Sequence, residues 1–435
     1  MAAVMGLAGT GVILLVSVLF GVRRVLLAVM LIRPSCDRGF DWVKTAFHQS
    51  MGPGAAVNLL VIGLALTALV HAPRAFLSPP VLAWGGFLLA ALASWFTGRI
   101  RHTESNCFRR WRPVPPSSPS LAIVHDRKTA APCLWIALLS SLVPTVWGLA
   151  ELAMMPDVLF GPERIQGSFS HPNIFAYFIV SDIALVLFLT RSTLVRLRRM
   201  HRWSLYGYVI LLLILLAFTK ARGVWVAMFL IWFSYALFID RRWFVLVAAV
   251  PVVLFVPGIS DRINDLYTGN TDIGFQHLNS LAWRELLWAN TLQWMADNPA
   301  ILLGHGLDLY QSYVPLFFPR GSNVSGVGAH NTLLQLYFET GLFAITAFFA
   351  IFFALLTQLR KGLAHDRDGA IIMAAACIAY LAVSYADNLL DYLQFQWFFW
   401  FVLGTVAAWM RSARERVAAH RSRPPSAAPL SGALH

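Results

Sequence analysis

The sequence has 435 residues, of which 58% are hydrophobic and only 13% are charged. Soluble domains carry about 25% charged residues, so this composition excludes an ordinary soluble protein. The net charge of +13 does not indicate nucleic-acid binding, because the basic residues lie in short stretches between apolar runs, as expected for a membrane protein. The four cysteines match no metal-binding spacing.

Long apolar runs recur along the chain, and a run of about 18 such residues predicts a membrane-spanning helix. Ten spans are predicted near residues 55–72, 79–97, 131–155, 171–191, 203–219, 222–240, 242–257, 330–358, 369–386 and 389–410. The stretch 6–33 fits either one tilted helix or a short hairpin. No cleavable signal peptide is evident. The predicted fold is therefore all-α, a polytopic membrane protein with 11–12 transmembrane helices.

The distribution of Lys and Arg predicts the orientation. Alternating the spans backward from a cytoplasmic C-terminus puts 25 basic residues inside, including those of 33–54 and 97–130, and 7 outside. Cytoplasmic loops carry the excess of Lys and Arg. This predicts N-terminal membrane helices over 1–257, a periplasmic loop with short helices over 258–329, C-terminal membrane helices over 330–411 and a disordered cytoplasmic tail over 412–435.

The strongest candidate motif opens a membrane helix from the outside, at His330. Asn331, Gln335 and Glu339 follow at four-residue spacing and therefore lie on one face of the helix. Polar groups at this depth usually face a bundle interior or a water-filled cavity, although they also act as structural contacts between helices. A histidine at a water-accessible helix start suits general-base chemistry near neutral pH.

Two outside turns carry cations against the charge bias. Lys220 and Arg222 lie between two membrane helices, and Arg284 lies in the long loop. An arginine fork fits phosphate oxygens, so an anionic ligand is one explanation. Interaction of the Lys220 and Arg222 side chains with lipid head groups, or an ion pair for Arg284, is the alternative.

Three further polar residues lie at outside helix ends. His171 and Asn173 lead into a predicted helix, where either a helix cap or a site is possible, and Asp387 lies in a tight outside turn. The turn favours capping at least as much as a role in orienting a base. Walker, nucleotide-binding and zinc motifs are all absent from the sequence.

Taken together, these motifs resemble the bacterial O-antigen ligase and polymerase superfamily. The resemblance covers roughly Gly161 to Leu403 and rests on His330 to Gly341, Arg222-Gly223, the Gly-Ser-Phe…Pro-Asn segment, and the Arg-x-x-x-Trp…Asn-Pro…Gly-x-Gly loop. Each motif alone is weak, but their order and their shared outer side make the combination fairly specific.

The resemblance implies an inverting glycosyltransferase that needs neither metal nor cofactor. Its donor would be O-antigen on undecaprenyl diphosphate, and its acceptor lipid A-core on the periplasmic face of the bacterial inner membrane. The family's pyrophosphate-binding arginines map onto Arg222 and Arg284, and its essential histidine onto His330. Asp387 matches a further family acid. Lys220, Asn331, Glu339, His171 and Asn173 are possible binding or supporting residues.

Two alternatives within the family stay open at this point, a polymerase that joins repeat units and a ligase that glycosylates protein. A transporter or flippase is the alternative from another class. Transporter sites usually lie at the membrane midplane, whereas these polar residues cluster at the predicted outer face.

Overall fold

A computed structural model describes residues 21–46, single positions between 57 and 67, and residues 77–101, 124, 126–155, 157–161, 163–245, 280–318 and 327–421. The described residues form helices and contain no strand. The helices are α1 (Val22–Ile32), α2 (Asp37–Ala46), α3 (Pro79–Arg101), α4 (Arg127–Ser140), α5 (Leu142–Met154), α6 (Asp157–Phe160), α7 (Pro172–Arg191), α8 (Arg199–Phe218), α9 (Arg222–Phe238), α10 (Ser280–Asp297), α11 (Tyr310–Phe317), α12 (Thr332–Gly362), α13 (Arg367–Val383) and α14 (Leu393–Arg421).

Six stretches of the described chain are long and apolar enough to cross a membrane. They are Pro79–Gly98, Arg127–Met154, Pro172–Arg191, Arg199–Phe218, Thr332–Gly362 and Leu393–Arg416, with Arg222–Phe238 as a shorter apolar helix. The all-α polytopic fold is therefore confirmed. Most residues of the predicted spans 55–72 and 242–257, and about half of 6–33, lie outside the described residues.

Helices α7 and α14 form the centre of the bundle. In the most apolar 18-residue stretch of each helix, 94% of the residues of α7 and 89% of those of α14 are buried. The corresponding fractions are only 28% in α8 and 33% in α12. Helices α7 and α14 run parallel, because Tyr177 contacts Phe395 near their beginnings and Phe188 contacts Trp409 near their ends. We call the end of the bundle where α7, α9, α12 and α14 begin the site face, and the other end the opposite face.

The first helices correct the predicted orientation. The sequence predicts 33–54 on the side opposite the site, but Asp37 accepts hydrogen bonds from the backbone and hydroxyl of Ser170 on the site face. Arg38 pairs with Glu151 at 2.5 Å. Arg33 lies 3.5 Å from Asp37. Arg33 and Arg38 thus both have carboxylate partners, and this pairing lowers the free-energy cost of placing the two cations on the site face. The positive-inside rule is therefore a weaker guide to orientation for these residues.

Helix α3 also runs in the direction opposite to the prediction. Gly86 lies against Ala347 and the Ser94 hydroxyl donates to the carbonyl of Glu339, so α3 is antiparallel to α12. Its C-terminal end, at Arg101, therefore points to the site face, whereas α4 begins at Arg127 at the other end of the bundle. The sequence predicts that the segment 97–130 lies on one side of the membrane. Its described residues instead lie at both ends of the bundle.

Helix α12 is broken at Gly341, whose φ is 69° and ψ −165°. The segment 301–306 fills the break: the backbone N–H groups of His305 and Gly306 donate to the carbonyls of Phe338 and Glu339, and Leu342 N–H donates to the carbonyl of Ile301. Backbone groups at membrane depth need such partners. Part of the predicted loop 258–329 therefore packs into the helical bundle.

Other predicted boundaries differ by small amounts. The helix predicted at Ser280–Ala296 is present as α10, and the predicted span 131–155 is divided at Ser141 into α4 and α5. Helix α14 continues to Arg421, ten residues into the segment predicted to be a disordered tail, and residues beyond it lie outside the described chain.

Candidate active site

The start of α12 shows how the chain positions His330. Asn331 caps the helix, because its side-chain oxygen accepts from the backbone N–H of Leu334 at 3.0 Å. His330 precedes this cap with a φ of 48°, a conformation that few non-glycine residues adopt. The side chain of His330 remains 39% exposed. The cap and the turn together present the imidazole at the site face.

The polar stripe behind His330 is a buried network. Gln335 donates to Glu339 at 3.0 Å and accepts from Asn388 at 2.6 Å. Glu339 also accepts from the backbone N–H of Tyr310 at 3.4 Å. Asn331, Gln335 and Glu339 are all buried. These contacts place Asn331 and Glu339 in the support of the helix entry rather than beside the exposed imidazole.

Asp387 faces His330 across the helix entry. Its Oδ1 lies 3.9 Å from Nδ1 of His330, an ion-pair distance rather than a hydrogen bond. Oδ1 also accepts from the Tyr392 hydroxyl and the Asn388 N–H, both at 2.9 Å, and Oδ2 accepts from Asn173 at 2.9 Å. All of these partners favour the carboxylate over the acid.

The charge state of Asp387 follows from these surroundings. Burial opposes its ionisation, but contact with His330 and the positive charge of Arg284 outweigh burial and hold the pKa of this carboxyl below its ordinary value. Asp387 is therefore a permanent negative charge beside the histidine at neutral pH.

Arg284 reaches the same place from α10. Its Nη1 donates to the carbonyl of Ala386 at 2.8 Å. The neighbouring Trp283 packs edge-on against His330, with ring centroids 5.9 Å apart. Trp288, one turn later, donates to the carbonyl of Ala329 at 2.7 Å. The predicted loop helix thus packs directly on the histidine turn and brings a cation within range of Asp387.

Arg222 is the first residue of α9, and its helix start lies beside the same turn. A Cβ added at Gly223 would lie 3.8 Å from the Tyr177 hydroxyl and 4.0 Å from Cβ of Ala386. Ala386, whose carbonyl accepts the hydrogen bond from Arg284, therefore also lies beside the turn that carries Arg222. A helix N-terminus favours anions, and Arg222 adds a full positive charge at that position.

The other predicted site residues have different positions. Lys220 is buried and its ammonium donates to the carbonyl of Gly161 at 2.5 Å, so it holds the preceding loop. His171 caps α7 by accepting from the N–H of Asn173 at 3.1 Å and stacks on Tyr392 at 6.5 Å. Asn173 contacts Asp387 directly. Of these three, only Asn173 touches the acid beside His330.

The sequence analysis missed three polar residues of this region. The Tyr392 hydroxyl and the backbone N–H of Asn388 donate to the Asp387 carboxylate, and Arg164 binds the side chain of Asn173 at 2.6 Å. Arg164 carried one usable signal, since it is a cation on the predicted outside, like Arg222. Tyr392 and Asn388 carried none, because an uncharged polar residue near a membrane interface is common.

The described part of the chain contains no group of three or more His, Cys, Asp or Glu side chains placed to hold a metal ion. Arg284, His330 and the ionised Asp387 meet at the turn formed by residues 386–387, and the start of α9, which carries Arg222, lies beside that turn. Such a set can neutralise a diphosphate and accept a proton from a hydroxyl.

Comparison with known proteins agrees with the sequence motifs. No curated protein sequence matches the chain. Residues 207–349 match the family model described as O-Antigen ligase. The matched segment includes Arg222, Arg284 and His330, whereas Arg164, Asn173 and Asp387 lie outside it. This segment of the chain is therefore similar to the O-antigen ligase family.

Proposed function

We propose that the protein is an O-antigen ligase, which transfers O-antigen from undecaprenyl diphosphate to lipid A-core on the periplasmic face of the bacterial inner membrane. The observation that carries the proposal is that Arg284 and the His330–Asp387 pair meet at one turn of the site face, with the helix start that carries Arg222 beside it. The similarity of residues 207–349 to the O-antigen ligase family supports the choice of a lipid-linked glycan as donor.

In this mechanism the two arginines bind the diphosphate. The bond that breaks joins the anomeric carbon to the diphosphate oxygen, so negative charge grows on the leaving group. Arg222 and Arg284 stabilise that charge, which is worth most where water is excluded. Placing the donor between them also brings the anomeric carbon close to the acceptor.

His330 acts as the general base. It removes the proton from the acceptor hydroxyl while the hydroxyl oxygen forms the new bond to the anomeric carbon. Asp387 faces Nδ1, which favours the tautomer with a proton on Nδ1 and leaves Nε2 free to accept. Attack opposite the leaving diphosphate inverts the anomeric configuration. The proton ends on His330 and the charge on the released undecaprenyl diphosphate, so the step balances.

The test uses purified protein in detergent with undecaprenyl-diphosphate glycan and lipid A-core. The wild type is expected to form lipopolysaccharide with or without chelator. His330→Ala is expected to lose about 10²–10⁴-fold in rate, the usual contribution of a general base. His201→Ala is the matched control, because His201 is an exposed histidine on the opposite face.

The outcomes separate the competing functions. Normal transfer by His330→Ala would exclude the proposed base. Extension of one glycan by another, with no transfer to lipid A-core, would identify a polymerase, and transfer to protein would identify a protein ligase. Movement of the intact donor across vesicles without bond cleavage would identify a transporter.

A further inference from the structure

Arg164 joins two parts of the candidate site that come from different helices. Its Nε donates to the carbonyl of Thr219 at 2.6 Å, and its Nη2 donates to Oδ1 of Asn173 at 2.6 Å. Thr219 ends α8 just before the turn that carries Arg222, and Asn173 contacts Asp387. One guanidinium thus spans the distance between the Arg222 turn and the acid that faces His330.

The direction of each hydrogen bond fixes the orientation of Asn173. A guanidinium only donates and a carboxylate only accepts. The amide of Asn173 lies between them, so its oxygen faces Arg164 and its Nδ2 faces Oδ2 of Asp387 at 2.9 Å. In most asparagines the assignment of oxygen and nitrogen is ambiguous, but here a reversed amide would put oxygen against carboxylate.

We propose that Arg164 is a positioning residue for the transfer reaction: it locks the Asn173 amide so that Asn173 holds the Asp387 carboxylate toward His330, and it ties this pair to the Arg222 turn. The inference rests on the proposed function. Arg164 itself does not contact the reacting atoms in this assignment, and its effect passes through Asn173.

Loss of the hydrogen bond from Arg164 to Asn173 has a specific consequence. Without the Arg164 fork, the Asn173 amide is free to rotate away from Asp387. The carboxylate then loses one of the hydrogen bonds that favour its ionised form, so the pKa of Asp387 rises. A less firmly held carboxylate supports the Nδ1–H tautomer of His330 less well, so kcat falls while KM for the acceptor changes little.

Replacing Arg164 by lysine tests the two-partner geometry of the guanidinium rather than its positive charge. The ammonium of Arg164→Lys keeps the positive charge but cannot hold both partners in the planar geometry of a guanidinium. Arg191 offers a matched control, because its Nε and Nη2 bind Tyr235 at 2.6 Å and Asp240 at 2.9 Å in the same forked manner on the opposite face. Asn173→Ala removes the middle of the chain of contacts and serves as a second variant.

The experiment measures kcat, KM and the pH profile of transfer by purified wild type, Arg164→Lys, Asn173→Ala, the double variant and Arg191→Lys, with folding checked by thermal unfolding. We expect kcat to fall at least about tenfold in both single variants, with a smaller change in KM for the acceptor. The double variant should be no worse than the more impaired single variant, because both changes break the same contact. Arg191→Lys should leave kcat and the pH profile unchanged.

Two results would overturn the inference. One is additive losses in the double variant, and the other is an unchanged kcat in Arg164→Lys, since a residue that only caps α8 at Thr219 would lower stability without lowering kcat. Either result leaves the proposed function standing. If the wild type transfers no glycan to lipid A-core in the same assay, the proposed function fails instead.

Discussion

Oδ1 of Asp387 lies 3.9 Å from Nδ1 of His330, and the same carboxylate receives hydrogen bonds from Tyr392, Asn388 and Asn173. The acid is thus held from several sides while one of its oxygens faces the imidazole. A carboxylate placed in this way selects one histidine tautomer and stabilises the cation that forms on proton transfer.

The first prediction concerns Asp387→Asn. This variant keeps the shape of the side chain but removes its charge and places an amide beside Nδ1. We expect kcat to fall by about 10²–10⁴-fold with a smaller change in KM for acceptor. Kinetics on purified protein measure both constants. Asp368→Asn, an exchange at an acid on the opposite face, is the control; full activity of Asp387→Asn would contradict the orienting role.

The lowered pKa of Asp387 adds a pH dependence. A carboxyl with a lowered pKa keeps its charge above that pKa, and its contribution is lost only as pH falls through it. Wild-type transfer should therefore show no loss caused by Asp387 between neutral pH and the ordinary Asp pKa of about 4. A rate profile of Asp387→Asn that keeps the same acidic limb as the wild type would confirm that this limb belongs to another group.

The sequence was sufficient to identify the residues that stand out chemically. Arg222, Arg284 and His330 are charged or titratable groups where a membrane protein is otherwise apolar, and their motifs lie in the segment that matches the family. Arg164 and Tyr392 could not be found in the same way. Their importance depends on which loops meet at the site face, and contacts across 214 residues, such as Asn173 to Asp387, leave no local pattern.

The direction of the first spans could not be predicted from charge for a related reason. A count of Lys and Arg treats every cation as solvated and unpaired. Arg33 and Arg38 instead have carboxylate partners in Asp37 and Glu151. One wrong assignment then reverses each preceding span, because the predicted helices must alternate.

The second prediction tests this corrected orientation. In a cysteine-free background, Trp42→Cys and Tyr385→Cys should react with a membrane-impermeant maleimide from the same side, and Met200→Cys only from the other. These side chains are exposed by 69%, 60% and 81%, so access is not limited by burial. Labelling of position 42 together with position 200, and not with 385, would support the charge-based orientation instead.

The third prediction concerns the break in α12. A Cβ on Gly341 would lie 2.4 Å from the carbonyl of Leu302, and the φ of 69° disfavours any other residue. Gly341→Ala should therefore lower the free energy of unfolding by more than about 2 kcal/mol. Thermal unfolding in detergent measures the change.

Gly207→Ala is the matched control for the change in α12. Gly207 lies within α8 and a Cβ there would meet nothing within 4 Å. Alanine should stabilise this helix by about 0.5–1 kcal/mol. Equal unfolding midpoints for the Gly341 and Gly207 variants would show that the segment 301–306 does not pack into the break as described.

The last prediction concerns Asp182, a fully buried acid in the middle of α7. Its Oδ2 accepts from the Tyr208 hydroxyl at 3.1 Å, and that hydroxyl also lies 2.7 Å from Ser141 and 2.9 Å from Thr145. Oδ1 accepts no hydrogen bond from the described residues. The charged form of such a group is costly inside a membrane.

Asparagine at this position keeps an acceptor for Tyr208 and removes the ionisable group. Asp182→Asn should therefore unfold at the same temperature as the wild type or higher, whereas Asp182→Ala should lose about 1–3 kcal/mol because the Tyr208 hydroxyl loses a partner and a cavity forms. Transfer activity should survive in Asp182→Asn, since the residue lies within the bundle, away from the turn at residues 386–387. A folded Asp182→Asn protein without activity would contradict this structural assignment and give the buried acid a part in the reaction.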